Sequence, residues 1–89
     1  MRALNRARVL ARQAAVRANG GSNRYRPEDR MYGPALQTPY SYSDGYFTFR
    51  FQGGPPGWQV LGQPPLRETI VSVSFNGDEV QIDYNGSPQ

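Results

Sequence analysis

The sequence predicts an α+β fold: an N-terminal amphipathic Arg/Ala helix, an extended Tyr/Pro/Gly-rich segment, and a small antiparallel sheet of three or four strands ending in a β-hairpin. Three observations predict it. Residues 2–18 gather their apolar side chains on one helical arc, residues 46–51 alternate aromatic with polar, and residues 68–85 alternate on both sides of Asn76-Gly77. Eighty-nine residues make one small domain. A chain of that size buries only about 60–65% of its unfolded surface, so part of its order is expected to depend on a partner. The expected organisation is a basic helical arm at 1–19, an extended Tyr-rich linker at 20–44 and a small β head at 45–86.

The helix comes first. At 100° per residue, Leu10, Ala3, Ala14, Ala7, Ala11, Leu4 and Ala15 fall on one arc, and Arg8, Arg12, Asn5, Arg2, Gln13, Arg6 and Arg17 lie opposite. Ala, Arg, Leu and Gln are strong helix formers, and Asn19-Gly20 is a suitable left-handed stop. The apolar face is mostly alanine, which contributes little transfer energy but lets another backbone come close. Such a face suits packing against a second element better than insertion into a membrane. Val9 and Val16 form a second, narrow seam among the arginines.

Residues 20–34 are polar and turn-rich. Pro27 with Glu28 and Asp29 favours a short helical start, which Gly33-Pro34 would end. Twelve Gly or Pro residues between 33 and 65 predict turns and extended structure. Tyr46–Phe51 interrupts them as a strand, with Phe47, Phe49 and Phe51 on one face. Trp58-Gln59-Val60-Leu61 is the candidate for a fourth strand. In the hairpin, Asn76-Gly77 is expected to form a two-residue type I′ turn pairing Val73 with Val80 and Val71 with Ile82. Val71, Val73, Phe75, Val80, Ile82 and Tyr84 would then share one face.

The composition argues against catalysis. The chain has no His, Cys or Lys, the usual sources of general bases and nucleophiles. No pair of carboxylates sits in a setting that would split two pKa values. Zinc ligands are missing and no Gly-rich loop joins a strand to a helix, so no metal, cofactor or nucleotide is expected. The lack of cysteine is compatible with a reducing compartment. No apolar run is long enough to span a membrane and no secretory signal is read. These features point to the cytoplasm or to an intracellular or viral assembly.

Charge supplies the positive argument. Residues 1–30 hold eight arginines against Glu28 and Asp29, a balance of +6; residues 31–89 hold two arginines against five acids, a balance of −3, giving the net +3 of the chain. A basic arm ahead of a mildly acidic body suits contact with an acidic surface. The Arg helix admits four readings: a helix packed on its own sheet with solvated arginines, a docking arm, a nucleic-acid binder and an organellar targeting sequence. Tyr25, Tyr32, Tyr40, Tyr42 and Tyr46, interleaved with Arg24, Arg26 and Arg30, have the composition of a protein interface or of a platform for single-stranded bases. Trp58, in the Gly53–Trp58 loop, is either core or a loop-tip anchor. Asn85-Gly86-Ser87 has the form of a glycosylation site, although Pro88 follows it.

The expected function is therefore that of a non-catalytic structural or accessory subunit. It would dock on a larger protein complex or virion through Arg2, Arg6, Arg8, Arg12, Arg17, Arg24, Arg26, Tyr25, Tyr32, Tyr40, Tyr42 and Trp58. The alternative is a small nucleic-acid-binding protein using the N-terminal Arg helix.

Overall fold

A computed structural model describes residues 2–33 and 38–89. Helix α1 spans Arg2–Ala18 and is followed by strand β1, Arg26–Pro27, and a 3-10 turn at Asp29–Met31. Four longer strands complete the fold: β2 at Tyr40–Ser43, β3 at Tyr46–Gly54, β4 at Arg67–Ser74 and β5 at Val80–Gly86. All pair antiparallel. β4 lies on one side of β3 with β5 beyond it, and β1 and β2 share the other side of β3. The α+β class and the small antiparallel sheet are as the sequence predicts.

The helix ends as expected. Gly20 and Gly21 take φ of +100° and +96°, and the Gly21 N–H donates to the Val16 carbonyl at 2.8 Å. This six-to-one bond with a left-handed glycine satisfies carbonyls that the last helical turn leaves free.

The core lies between α1 and one face of the sheet. Phe47 pairs with Val73, Phe49 with Val71 and Phe51 with Thr69, so these six side chains form one buried layer. Leu4, Ala7, Ala11, Ala14 and Ala15 cover it. The alanine row does what small side chains allow: it brings the helix backbone close to a layer of phenylalanines. The helix that begins as a candidate free arm is thus packed on its own sheet.

Four local expectations are corrected. Asp44 and Gly45, with φ of +55° and +84°, form the two-residue type I′ turn, and Ser43 pairs with Tyr46 across it. Asn76 does not take positive φ, so Asn76-Gly77 is not such a turn. Its side-chain oxygen instead accepts from Ser74 Oγ at 2.8 Å and Asp78 N–H at 3.1 Å, and the Ser74 N–H donates to the Glu79 carbonyl. This local bonding widens the loop to Phe75–Asp78 while keeping the predicted pairs Val73–Val80 and Val71–Ile82.

A bulge between Ile70 and Val71 then puts Tyr84 opposite Ile70. Tyr84 therefore leaves the face it was expected to share with Val71, because an extra residue on one strand shifts the alternation by one. Trp58–Leu61 forms turns, not a strand: the Leu61 N–H donates to the Gly57 carbonyl at 2.9 Å and the Gln63 N–H to the Trp58 carbonyl at 2.8 Å. Finally, the segment read as a linker at 20–44 contributes β1 and β2 to the sheet. The helical turn expected after Pro27 is present, as the 3-10 turn Asp29–Met31, while Pro34 of its expected Gly33-Pro34 stop lies outside the described residues.

Candidate binding surface

The basic residues divide into those used internally and those left at the surface. Arg8 is only 8% exposed. On the helical wheel it stands about 20° from Ala15, at the margin of the apolar arc. Its guanidinium donates to the Met31 carbonyl, and Arg12 donates to the same oxygen at 3.0 Å. Arg12 also lies over the Tyr32 ring, 4.5 Å from its centroid. Burial, and then the neighbouring Arg12 charge, lower the pKa of Arg8. Arg8 and Arg12 thus fasten the helix to the 3-10 turn and are not part of a free basic face.

Tyr25 and Trp58 are buried as well. Tyr25 is 2% exposed, and its ring lies against Gly53 so closely that a Cβ there would fall 2.4 Å from ring atoms. Among the described residues its hydroxyl has no hydrogen-bond partner. Burial pushes its pKa up. Trp58 packs on Gly54 and donates from Nε1 to the Arg26 carbonyl at 2.9 Å. It is the base of its loop and not the tip.

The remaining candidates reach solvent at separate places. Arg2, Arg6 and Arg17 are exposed along the helix. Arg6 reaches over Gly77, and Arg17 lines a shallow groove with Ala14, Ala18, Val80 and Ile82. Tyr40 and Tyr42 extend the phenylalanine layer outward. Tyr42 lies 4.8 Å from Phe47 and 6.2 Å from Phe75, and Phe47 stacks on Phe75 at 5.9 Å. Tyr40, Tyr42 and Phe75 are each substantially exposed.

Among the described residues, the most solvent-exposed large apolar side chains lie on the loop between β3 and β4, outside the expected set. Val60 is 92% exposed, Leu61 68% and Leu66 61%. The loop that carries them is held firmly. Trp58 seals its base, the Gln59 side chain accepts from the Asp29 N–H at 2.7 Å, and the Leu66 N–H donates to the Gly53 carbonyl at 2.9 Å. Arg26 and Val60 line one shallow groove, and Arg24, Arg67 and Leu66 line another. All three arginines are exposed and make no ion pair among the described residues. The sequence signal was the pair Val60-Leu61 next to Trp58. Such a pair predicts a strand, because a short apolar run does not reveal whether it faces inward.

A cavity of about 360 Å³ at the end of β3 is lined by Glu28, Arg30, Arg50, Glu68 and Gln89 among others. Its charges are already matched. Glu28 pairs with Arg30 at 3.5 Å and accepts from the Gln52 N–H, and Glu68 pairs with Arg50 and accepts from the Gln89 N–H at 2.9 Å. Among the described residues, no three potential metal ligands come together and no helix is long and apolar enough to cross a membrane. Asn85 is engaged on both sides of its amide, accepting from Thr69 and donating to Asn19. No protein family, curated protein or solved structure matches the chain.

Proposed function

We propose that the chain is a non-catalytic accessory or structural subunit that docks on a larger protein assembly through the β3–β4 loop. The observation that supports this most is the exposure of Val60, Leu61 and Leu66 on a loop whose backbone is fixed from within. Apolar side chains presented by a rigid loop lose little further freedom on binding, so their burial contributes to affinity with small entropic cost. The flanking Arg24, Arg26 and Arg67 suit a partner that surrounds an apolar recess with carboxylates.

This reading keeps the docking role expected from the sequence and moves its centre from the helix to the loop. Nucleic-acid binding by the Arg helix is the less supported alternative, since Arg8 and Arg12 spend their guanidinium groups on Met31. The test is isolation of the chain with its bound partners from its native cells, wild type against the double variant Val60→Ser/Leu61→Ser. Loss of the partners with an unchanged melting temperature supports the proposal. Retention of every partner by the variant contradicts it. Release of the bound material by nuclease would favour the alternative.

A further inference from the structure

The two edges of the sheet are built differently. β5 carries a bulge near Ile70 and Val71 of its neighbour, and Glu79 and Asp83 lie at or beside it. Bulges and charges of this kind keep an edge from pairing with another strand. β2, Tyr-Ser-Tyr-Ser, has neither device, and all four of its residues are exposed. It pairs only with β3 among the described residues.

The Asp44-Gly45 turn fixes which backbone groups of β2 are free. In a two-residue hairpin the flanking residues, here Ser43 and Tyr46, exchange both hydrogen bonds, and the pattern then alternates. Ser43 and Ser41 therefore direct their N–H and C=O toward β3. Tyr42 and Tyr40 direct theirs outward, away from the sheet.

We infer that β2 pairs antiparallel with β2 of a second copy of this chain, about a two-fold axis at Ser41. The arrangement is self-complementary. Tyr40 falls opposite the second copy's Tyr42, and these are the residues whose N–H and C=O groups point outward, so each tyrosine pair exchanges both hydrogen bonds. Ser41 faces the second copy's Ser41 as a pair without such bonds, which agrees with its use of both groups on β3. Shifting the strand by one residue would aim these donors and acceptors away from one another.

Side chains agree with the same register. Tyr40 and Tyr42 of both copies fall on one face, where they extend the layer of Phe47 and Phe75. The strand is uncharged, and in this register Asp44 falls opposite Thr38, so no like charges meet despite the net +3 of each chain. The edge used here is distinct from the β3–β4 loop, so dimerisation leaves the proposed docking loop open.

The chain contains no cysteine, which makes single cysteines clean probes of this geometry. A pair on the axis has Cα atoms about 4.5 Å apart, within disulfide reach of about 4.4–6.8 Å. Residue 43 falls opposite residue 39, about 14 Å from its own mate at roughly 3.4 Å per residue. Purified full-length S41C and S43C should be oxidised mildly at equal concentration and resolved without reductant. The expected result is disulfide-linked dimer forming at least tenfold faster for S41C. Adding Y42P to S41C removes an outward N–H without touching a β2–β3 bond, and should bring the rate down to that of S43C. Equal rates for S41C and S43C would overturn the inference, as would a fast S41C reaction that Y42P leaves unchanged.

Discussion

Arg8 lies in the helix and Met31 closes a turn twenty-three residues later, and the guanidinium of the first donates to the main-chain carbonyl of the second. Arg12 shares the same acceptor from the next turn of the helix. Two cations on one carbonyl, one of them buried, give the basic helix a structural duty. Replacing Arg8 with Ala removes a buried stem and a charge-assisted hydrogen bond, and should cost about 2–3 kcal/mol in urea unfolding. Arg2→Ala, on the exposed first turn, should stay within about 0.5 kcal/mol. Equal effects at the two positions would show that Arg8 is solvated like the rest.

The alanine face gives the second expectation. Ala7 and Ala11 are almost completely buried against the sheet. Replacing either with Leu should lower stability by about 1–3 kcal/mol through overpacking. An unchanged melting temperature for Ala11→Leu would mean that the helix is not seated where the structure has it.

Gly53 and Tyr25 offer a sharper steric test. A Cβ on Gly53 would fall 2.4 Å from the Tyr25 ring, and Tyr25 is itself enclosed. Gly53→Ala should therefore destabilise by about 3 kcal/mol, at the upper end of overpacking effects. Tyr25→Phe removes a hydroxyl that has no partner among the described residues, so it should be neutral or slightly stabilising at pH 7. A large loss in Tyr25→Phe would show that the hydroxyl is hydrogen-bonded after all.

Two groups set the pH dependence, with opposite signs. The Gln89 N–H, and then the Arg50 guanidinium, hold the buried Glu68 carboxyl below the usual carboxylate range. A depressed carboxyl contributes stability above its unfolded pKa of about 4.3, and that contribution is lost as pH falls through the folded value. Burial raises the pKa of Tyr25, so its contribution is complete below about pH 10 and is lost as pH rises beyond. Glu68→Gln should flatten the acid limb of the stability profile and Tyr25→Phe the alkaline limb. Melting curves from pH 3 to 11 check both, and an unaltered limb in either variant contradicts the corresponding assignment.

Periodicity made the large elements legible. The helical arc placed Leu4, Ala7, Ala11, Ala14 and Ala15 in the core, and strict alternation placed Phe47, Phe49 and Phe51 there. Turn chemistry was harder to read. Asp44-Gly45 and Asn76-Gly77 carry similar sequence signals, and only the first forms the tight turn, because Ser74 offers Asn76 a competing hydrogen-bond partner. The burial of Arg8 is not legible on a helical wheel, because a wheel assigns a direction to the Cα, while a long side chain at the margin of an arc can turn inward to a carbonyl from another element. The loop tip is illegible for a different reason: of the run Trp58–Leu61 only Trp58 packs inward, on Gly54 and the Arg26 carbonyl, while Val60 and Leu61 stay exposed, and that choice is a tertiary fact.

If the β3–β4 loop is the docking surface, the size of the native assembly depends on it. The apparent size of the tagged chain in a native-cell extract should be determined by gel filtration for wild type and for Val60→Ser/Leu61→Ser. The expected result is wild type eluting far above the size of its own monomer or dimer, and the variant eluting at that small size with an unchanged melting temperature. Co-elution of both proteins at the same position would contradict the assignment of the β3–β4 loop as the docking surface.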